Sequence, residues 1–311
     1  MKFRSAVVVV VLSLVAGCAR DGAPPEPTPA VETVAAIAPV KLGDVPGIHN
    51  LVQVTPWLYS GSQPEGAEAF AELEKLGVKT LVCVDGMAPD APAARAHGIR
   101  VVHLPIGYDA VPAETAAAYA RLAAETEGPI YVHCHHGLHR GPAAAAIMIR
   151  ARDKASAAQA AEFMTLAGTS PHYTGLWRDV EAFDPAKPGR YDGTFPEAAA
   201  VPDYAAGMAH IDRTWDRLKL IRKAGWKTPA DHPDVAPDQE ALILAEAFRE
   251  INRLPQPHDE PRYTEMMNEA IRATASLADA MRQPAPDAAV LEAAFSATAA
   301  SCRQCHQVYR D

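Results

Sequence analysis

The chain has 311 residues, enough for two independent cores, and its net charge of −9 excludes nucleic acid as the main partner, because no basic stripe is available to neutralise phosphates. The same acidic balance gives no general attraction to anionic lipid, so attachment to a membrane has to be covalent. Five cysteines is an odd number, which argues against a closed disulfide framework and leaves Cys18, Cys83, Cys134, Cys302 and Cys305 to be explained one at a time.

Lys2 and Arg4 precede an apolar run from Ala6 to Val15. That run is shorter than the roughly 20 residues a spanning helix needs, so residues 1–17 read as a signal peptide. It ends in Leu14-Val15-Ala16-Gly17-Cys18, which resembles the bacterial lipobox. The resemblance implies cleavage before Cys18 and a diacylglycerol group on its thiol, giving an exported, periplasm-facing lipoprotein anchored to the membrane. The alternative is an ordinary secretory signal with an incidental cysteine. Residues 18–44 then read as an extended tether, punctuated by Pro24, Pro25, Pro27, Pro29 and Pro39.

From about Val45 strands and helices alternate. Leu51–Val54, Trp57–Ser60, Thr80–Val84, Arg100–Ile106 and Ile130–His133 are expected strands. Helices are expected near 67–76, 91–96, 113–125, 142–152, 155–167 and 173–183. The alternation predicts an α/β domain over 45–184, with a mainly parallel sheet covered by helices on both faces. Residues 185–200, with Pro185, Pro188, Gly189, Gly193 and Pro196, read as a linker. Four amphipathic segments follow near 202–224, 237–253, 261–282 and 287–310, with apolar residues spaced by three and four. Thr274 and Thr298 are the polar members of two of these stripes. Together they predict an all-α four-helix bundle over 201–311.

The segment Ile130 to Pro142, IYVHCHHGLHRGP, places a cysteine after an apolar strand and an arginine six residues later. A tight turn into a helix there aims backbone N–H groups and the helix dipole at one point, forming an anion cradle. Arg140 can grip two phosphate oxygens, and the same field favours the thiolate at Cys134. Through His133, Cys134, Gly137 and Arg140 the segment resembles the H-C-x5-R signature of protein tyrosine and dual-specificity phosphatases. LYSGSQP, Leu58 to Pro64, also resembles the opening of bacterial dual-specificity-like domains. The resemblance implies that Cys134 attacks phosphorus and that Arg140 and the loop from His135 through His136, Gly137, Leu138 and His139 to Gly141 bind the oxyanion. It also implies that His133 steadies the loop. The family's general acid is an upstream loop aspartate; Asp109 is the candidate, Asp85 the weaker one, and a helix-cap role for Asp109 stays open. Gly141 departs from the usual Ser or Thr, which puts hydrolysis of the intermediate in doubt. His135, His136 and His139 bring either positive charge to a substrate or a metal site. Cys83 is either a buried strand residue or a redox partner of Cys134.

Cys302-Arg303-Gln304-Cys305-His306 is a CxxCH motif: two thiols one turn apart for the two vinyl groups of a haem, and an imidazole for its iron. At the end of a helical bundle, SCRQCHQVYRD resembles cytochrome c′ and cytochrome c556. The resemblance implies one covalent haem c, with His306 as axial ligand. The opposite side is either open or filled by Met208, with His210 the alternative and a core role for Met208 also open. The proteins it resembles often dimerise, which leaves a homodimer through the bundle open. The expected function is a phosphomonoester phosphatase, its phosphorylated substrate unidentified, joined to a cytochrome for electron transfer to a redox partner protein or for redox or gas sensing. The alternative is a haem electron carrier or redox sensor whose first domain only binds an oxyanion.

Overall fold

The computed structural model describes residues 37–200 and 203–309, so the signal peptide, Cys18 and most of the tether lie outside the described residues. Among the described residues no helix is long and apolar enough to cross a membrane.

Six strands form one sheet: β1 Val40–Val45, β2 Ile48–Thr55, β3 Leu58–Gly61, β4 Thr80–Cys83, β5 Arg100–His103 and β6 Ile130–His133, in the order β1-β2-β3-β6-β4-β5. β1, β2 and β3 pair antiparallel, whereas β3, β6, β4 and β5 run parallel. The parallel strands are buried along their length except at Arg100, because both faces are covered. Leu81, Cys83 and Tyr131 face a core under helices α1 Gly66–Lys75 and α2 Ala91–Ala96. Val82, Val132 and Cys134 face the opposite core, under α3 Ala113–Glu125, α4 Arg140–Arg152, α5 Ala157–Ala167 and α6 Thr174–Ala182.

The tether was expected to run extended to residue 44, but β1 already occupies Val40–Val45. The open edge of β2 supplies its backbone partners, and Gly43, at φ 83°, accommodates an irregular register. Val40 and Leu42 are 52% and 43% exposed, so no alternating burial marked this strand in the sequence. The linker, for its part, lies along β5. The His103 N–H donates to the Pro196 carbonyl at 2.8 Å, and the Ala199 N–H donates to His103 Nδ1 at 3.1 Å. It thereby covers an edge that would otherwise present unpaired backbone groups.

The C-terminal helices are α7 Tyr204–Lys223, α8 Pro237–Ile251, α9 Pro261–Met281 and α10 Ala288–Tyr309. The two threonines in the apolar stripes are fully buried, and their hydroxyls donate to the carbonyls four residues back, Ala270 and Ala294. Helix α8 differs from its neighbours: every residue from Gln239 to Phe248 is buried. A helix buried all round is packed on all sides. One continuous apolar core runs from the α3–α6 face of the sheet through α8 into the bundle. The Thr174 hydroxyl reaches Gln239, and the Gly175 N–H donates to Gln239 Oε1 at 3.0 Å. His172 Nδ1 lies 2.6 Å from Asp238.

Candidate functional site

β6 ends at His133 and α4 starts at Arg140, so residues 134–139 make the whole turn. Gly137 sits at φ 70°, and a Cβ there would come within 2.3 Å of the Gly61 backbone, so glycine is required twice over. The loop carbonyls are engaged from outside. Asn50 Nδ2 donates to the Gly137 carbonyl at 2.9 Å, Thr169 Oγ1 to that of Leu138 at 2.8 Å, and the Gln63 N–H to that of His135 at 3.0 Å. With carbonyls turned outward, the turn can aim its amides inward, as an anion nest requires. The first turn of α4 lies against Cys134: a Cβ on Gly141 would stand 3.6 Å from its Sγ.

Cys134 is 3% exposed and Arg140 1%. Arg140 Nη2 donates to Asp85 Oδ2 at 2.8 Å and to the Tyr108 hydroxyl at 2.9 Å, and the guanidinium lies 4.1 Å from the Tyr108 ring centre. Its Nη1 is 2.5 Å from Glu250 Oε1, on α8. Arg253, just beyond α8, donates to Asp85 Oδ1 at 2.8 Å. The His135 N–H donates to Asp85 Oδ2 at 3.0 Å. Burial would raise the Asp85 carboxyl, but the charges of Arg140 and Arg253 outweigh it and hold it well below the usual carboxylate range. Asp85 is therefore an anion that orients Arg140 rather than a proton donor. Removing either member of this buried pair leaves an uncompensated charge, at a cost of about 3–5 kcal/mol.

The expected site residues fall into three groups. Cys134, Arg140 and the loop come together as expected. Asp109 is exposed on the segment after Ile106, where its charge acts on Arg178, His210 and Glu240. Its position after β5 matches the sequence expectation, while its present neighbours are not the reacting groups. His135 and His139 do not bring the expected positive charge. Burial and then Arg140 push His139 down to about 4, and burial with Arg253 and His136 lowers His135. His139 instead packs against Tyr173, with ring centres 4.4 Å apart.

The pairing of Cys83 with Cys134 is corrected by the register. Cys83 lies opposite His133 in the β4–β6 ladder, so it shares the face of His133, and Cys134 belongs to the other core. Both thiols are free, and burial pushes the Cys83 thiol up to about 12. Cys83 is a core residue.

His133 is wholly buried, and burial pushes its pKa from 6.5 down to about 4. The unfolded chain therefore takes up this proton first as pH falls. Stability present above pH 6.5 is expected to decline towards pH 4, by on the order of 3 kcal/mol from this residue. Thermal melts between pH 7 and pH 4.5 check this; a flat melting temperature would contradict it.

In the bundle, Cys302, Cys305 and His306 line a cavity of about 820 Å³ together with Met208, His258, Tyr263 and Phe248. Its size is within the usual range for ligand sites, and its wall is largely apolar. Two unpaired thiols one turn apart, an adjacent imidazole and a thioether on a different helix are a donor set that fits a haem. Met208 is in the lining, as the first-helix candidate required. His210 is not among the lining residues and is influenced by Asp109 instead. His258, in the α8–α9 connection, was not singled out from the sequence, where an isolated histidine beside prolines carries no signal.

Taken together, these features resemble those of cysteine phosphatases in the α/β domain and of c-type cytochromes in the helical one. The Cytochrome C′ family model matches residues 258–310. The chain is homologous to dual specificity protein phosphatase TpbA of Pseudomonas aeruginosa. It is 37% identical over 136 residues to TpbA of strain UCBPP-PA14 and 36% to that of strain PAO1, covering 42% of this chain and 62% of each relative. The chain thus spans about three-fifths of the curated relatives it matches. The crystal structure of P. aeruginosa TpbA superposes with a TM-score of 0.41 and 29% identity, covering 47% of this chain and 91% of that one. Glu250 and Arg253, which reach Arg140 and Asp85, come from the helical region. Their only signal in the sequence is the mostly apolar run ALILAEAF, broken by Glu246 alone, ahead of them.

Proposed function

We propose that this is an exported, lipid-anchored phosphomonoester phosphatase that acts through Cys134 and carries one covalent haem c in its helical domain. The observation that supports it most is the loop itself: a sulfur against the first turn of α4, an arginine beside it, and carbonyls engaged from outside. In the first step the Cys134 thiolate attacks phosphorus. The S–P bond forms as the ester P–O bond breaks, and the leaving oxygen takes a proton from Asp109. That donor has to swing in from its present place by Arg178. Arg140 and the loop amides hold the non-bridging oxygens throughout. In the second step water attacks phosphorus, its proton passes to Asp109, and the S–P bond breaks. Because the relatives are dual specificity protein phosphatases, we extend the proposal to phosphoprotein substrates.

For the haem, Cys302 and Cys305 would supply the thioether links and His306 one axial ligand, with Met208 the candidate on the facing helix. When bound, the haem supplies one-electron or gas-binding chemistry, to be exchanged with a redox partner protein. Dimerisation through the bundle is a further expectation of this reading.

The test is hydrolysis of p-nitrophenyl phosphate by the full chain, beside calorimetry with orthovanadate. Turnover inhibited by vanadate is the expected result. Vanadate binding without turnover would favour the second reading, an oxyanion-binding module on a haem carrier or redox sensor. Gly141 is the observation behind that reading, since no hydroxyl stands there to help the thiolate leave. Gly141→Ser is accordingly expected to raise kcat about tenfold, on the scale of positioned proton donors. A Cβ there would lie 3.3 Å from the Cys134 nitrogen, so the added hydroxyl can reach the sulfur with only a small adjustment. An unchanged kcat would mean that another group already assists the second step.

A further inference from the structure

A carboxylate from the helical domain engages the arginine that would bind a substrate's oxyanion. Glu250 Oε1 lies 2.5 Å from Arg140 Nη1, and the guanidinium it occupies is the one that would grip phosphate. Arg253, three residues on, donates to Asp85 at 2.8 Å, the carboxylate that orients Arg140 from the other side. A Cβ added to Gly86, in the loop after β4, would come within 3.7 Å of the Glu250 carboxylate. Glu246, one turn earlier, accepts from the Tyr173 hydroxyl at 3.3 Å, and Asp238 at the start of the helix holds His172. Helix α8 is thus fastened along its length across the mouth of the Cys134 loop, and the nucleophile and its arginine are 3% and 1% exposed. In this arrangement Arg140, the group that would take a phosphomonoester's oxygens, is held between two carboxylates, Asp85 and Glu250.

We propose that α8 is an intramolecular inhibitor of the phosphatase site, with Glu250 as its phosphate mimic on Arg140. The proposal rests on the reading of Cys134 and Arg140 as a phosphate-binding site. It names how that site is regulated. An active molecule is one in which the C-terminal end of α8 has left Arg140, so the apparent affinity for any oxyanion is reduced by the fraction of molecules in the open form. The opposite side of the same helix faces the other site. Phe248, two residues before Glu250, lines the cavity that holds Cys302, Cys305 and His306. What fills that cavity therefore bears on the helix that must move, because α8 contacts both sites.

The test uses the full chain and its Glu250→Gln variant, with Glu292→Gln as a control, since Glu292 pairs with Arg222 on the exposed side of the bundle. Two readouts need no turnover: calorimetric affinity for orthovanadate, and the rate of Cys134 alkylation by neutral iodoacetamide, followed by mass spectrometry. Glu250→Gln is expected to tighten vanadate binding at least about tenfold and to speed alkylation by a similar factor, with the control unchanged. Equal values for variant and parent, or weaker vanadate binding in the variant, would overturn the proposal. Tighter vanadate binding without faster alkylation would overturn it too, because the gain would then be a charge effect without opening. If both readouts rise and neither protein hydrolyses p-nitrophenyl phosphate, the inhibitor stands and the phosphatase reading fails. Should Glu250→Gln melt low, Glu250→Asp carries the same test, since it keeps the charge and shortens the reach.

Discussion

Cys134→Ser is expected to lower kcat for aryl phosphate hydrolysis by at least about 10⁴-fold while leaving orthophosphate binding intact. The serine hydroxyl has nearly the shape of the thiol, so Arg140 and the loop pinned by Asn50, Gln63 and Thr169 keep their places. What is lost is an ionised nucleophile, since a hydroxyl at this position has no base within the mechanism to deprotonate it. Arg140→Lys separates the second role. It keeps the charge and removes the planar fork, and Asp85, Tyr108 and Glu250 would lose the partner that now ties them together. Steady-state kinetics with phosphate as product inhibitor checks both. Residual activity within about tenfold of the parent in Cys134→Ser would remove the nucleophile from the account.

The second large effect is expected from Cys302→Ala combined with Cys305→Ala. The haem should no longer survive denaturing electrophoresis with the chain, because both thioether links are gone. The bundle is also expected to melt about 10 °C or more lower, since the cavity of about 820 Å³ between α7, α9 and α10 would lose the haem proposed to fill it. Optical spectra of the reduced protein with and without carbon monoxide, taken beside the melts, report both results. Haem retained under denaturing conditions in the double variant would contradict the assignment of these two thiols.

Much of the architecture could be read from spacing alone, because its physical causes are local. The apolar runs TLVC and IYVH become β4 and β6 since a strand covered on both faces needs no alternation. The stripes through Ile211 and Leu218, or Leu291 and Phe295, become α7 and α10 for the same local reason. The Cys134 loop was legible because a thiol, a glycine and an arginine at fixed offsets serve one purpose. Other features depended on long-range neighbours and left no mark. β1 is an edge strand whose side chains are exposed, so only its pairing with β2 reveals it. The face of Cys83 depends on its register against His133. Glu250 and Arg253 look like an ordinary polar helix end until the fold sets them against Arg140 and Asp85. The burial of α8 was written in its apolar run, but what covers it was not.

The most direct test of the two-step account is mass spectrometry of the full chain quenched in acid during turnover of p-nitrophenyl phosphate. A phosphoryl group on the peptide containing Cys134, absent from Cys134→Ser, is the expected result. Its accumulation in the parent relative to Gly141→Ser would locate the slow step at release from sulfur. Turnover with phosphate trapped on His135, His136 or His139 instead, or with no covalent intermediate in either protein, would contradict the account.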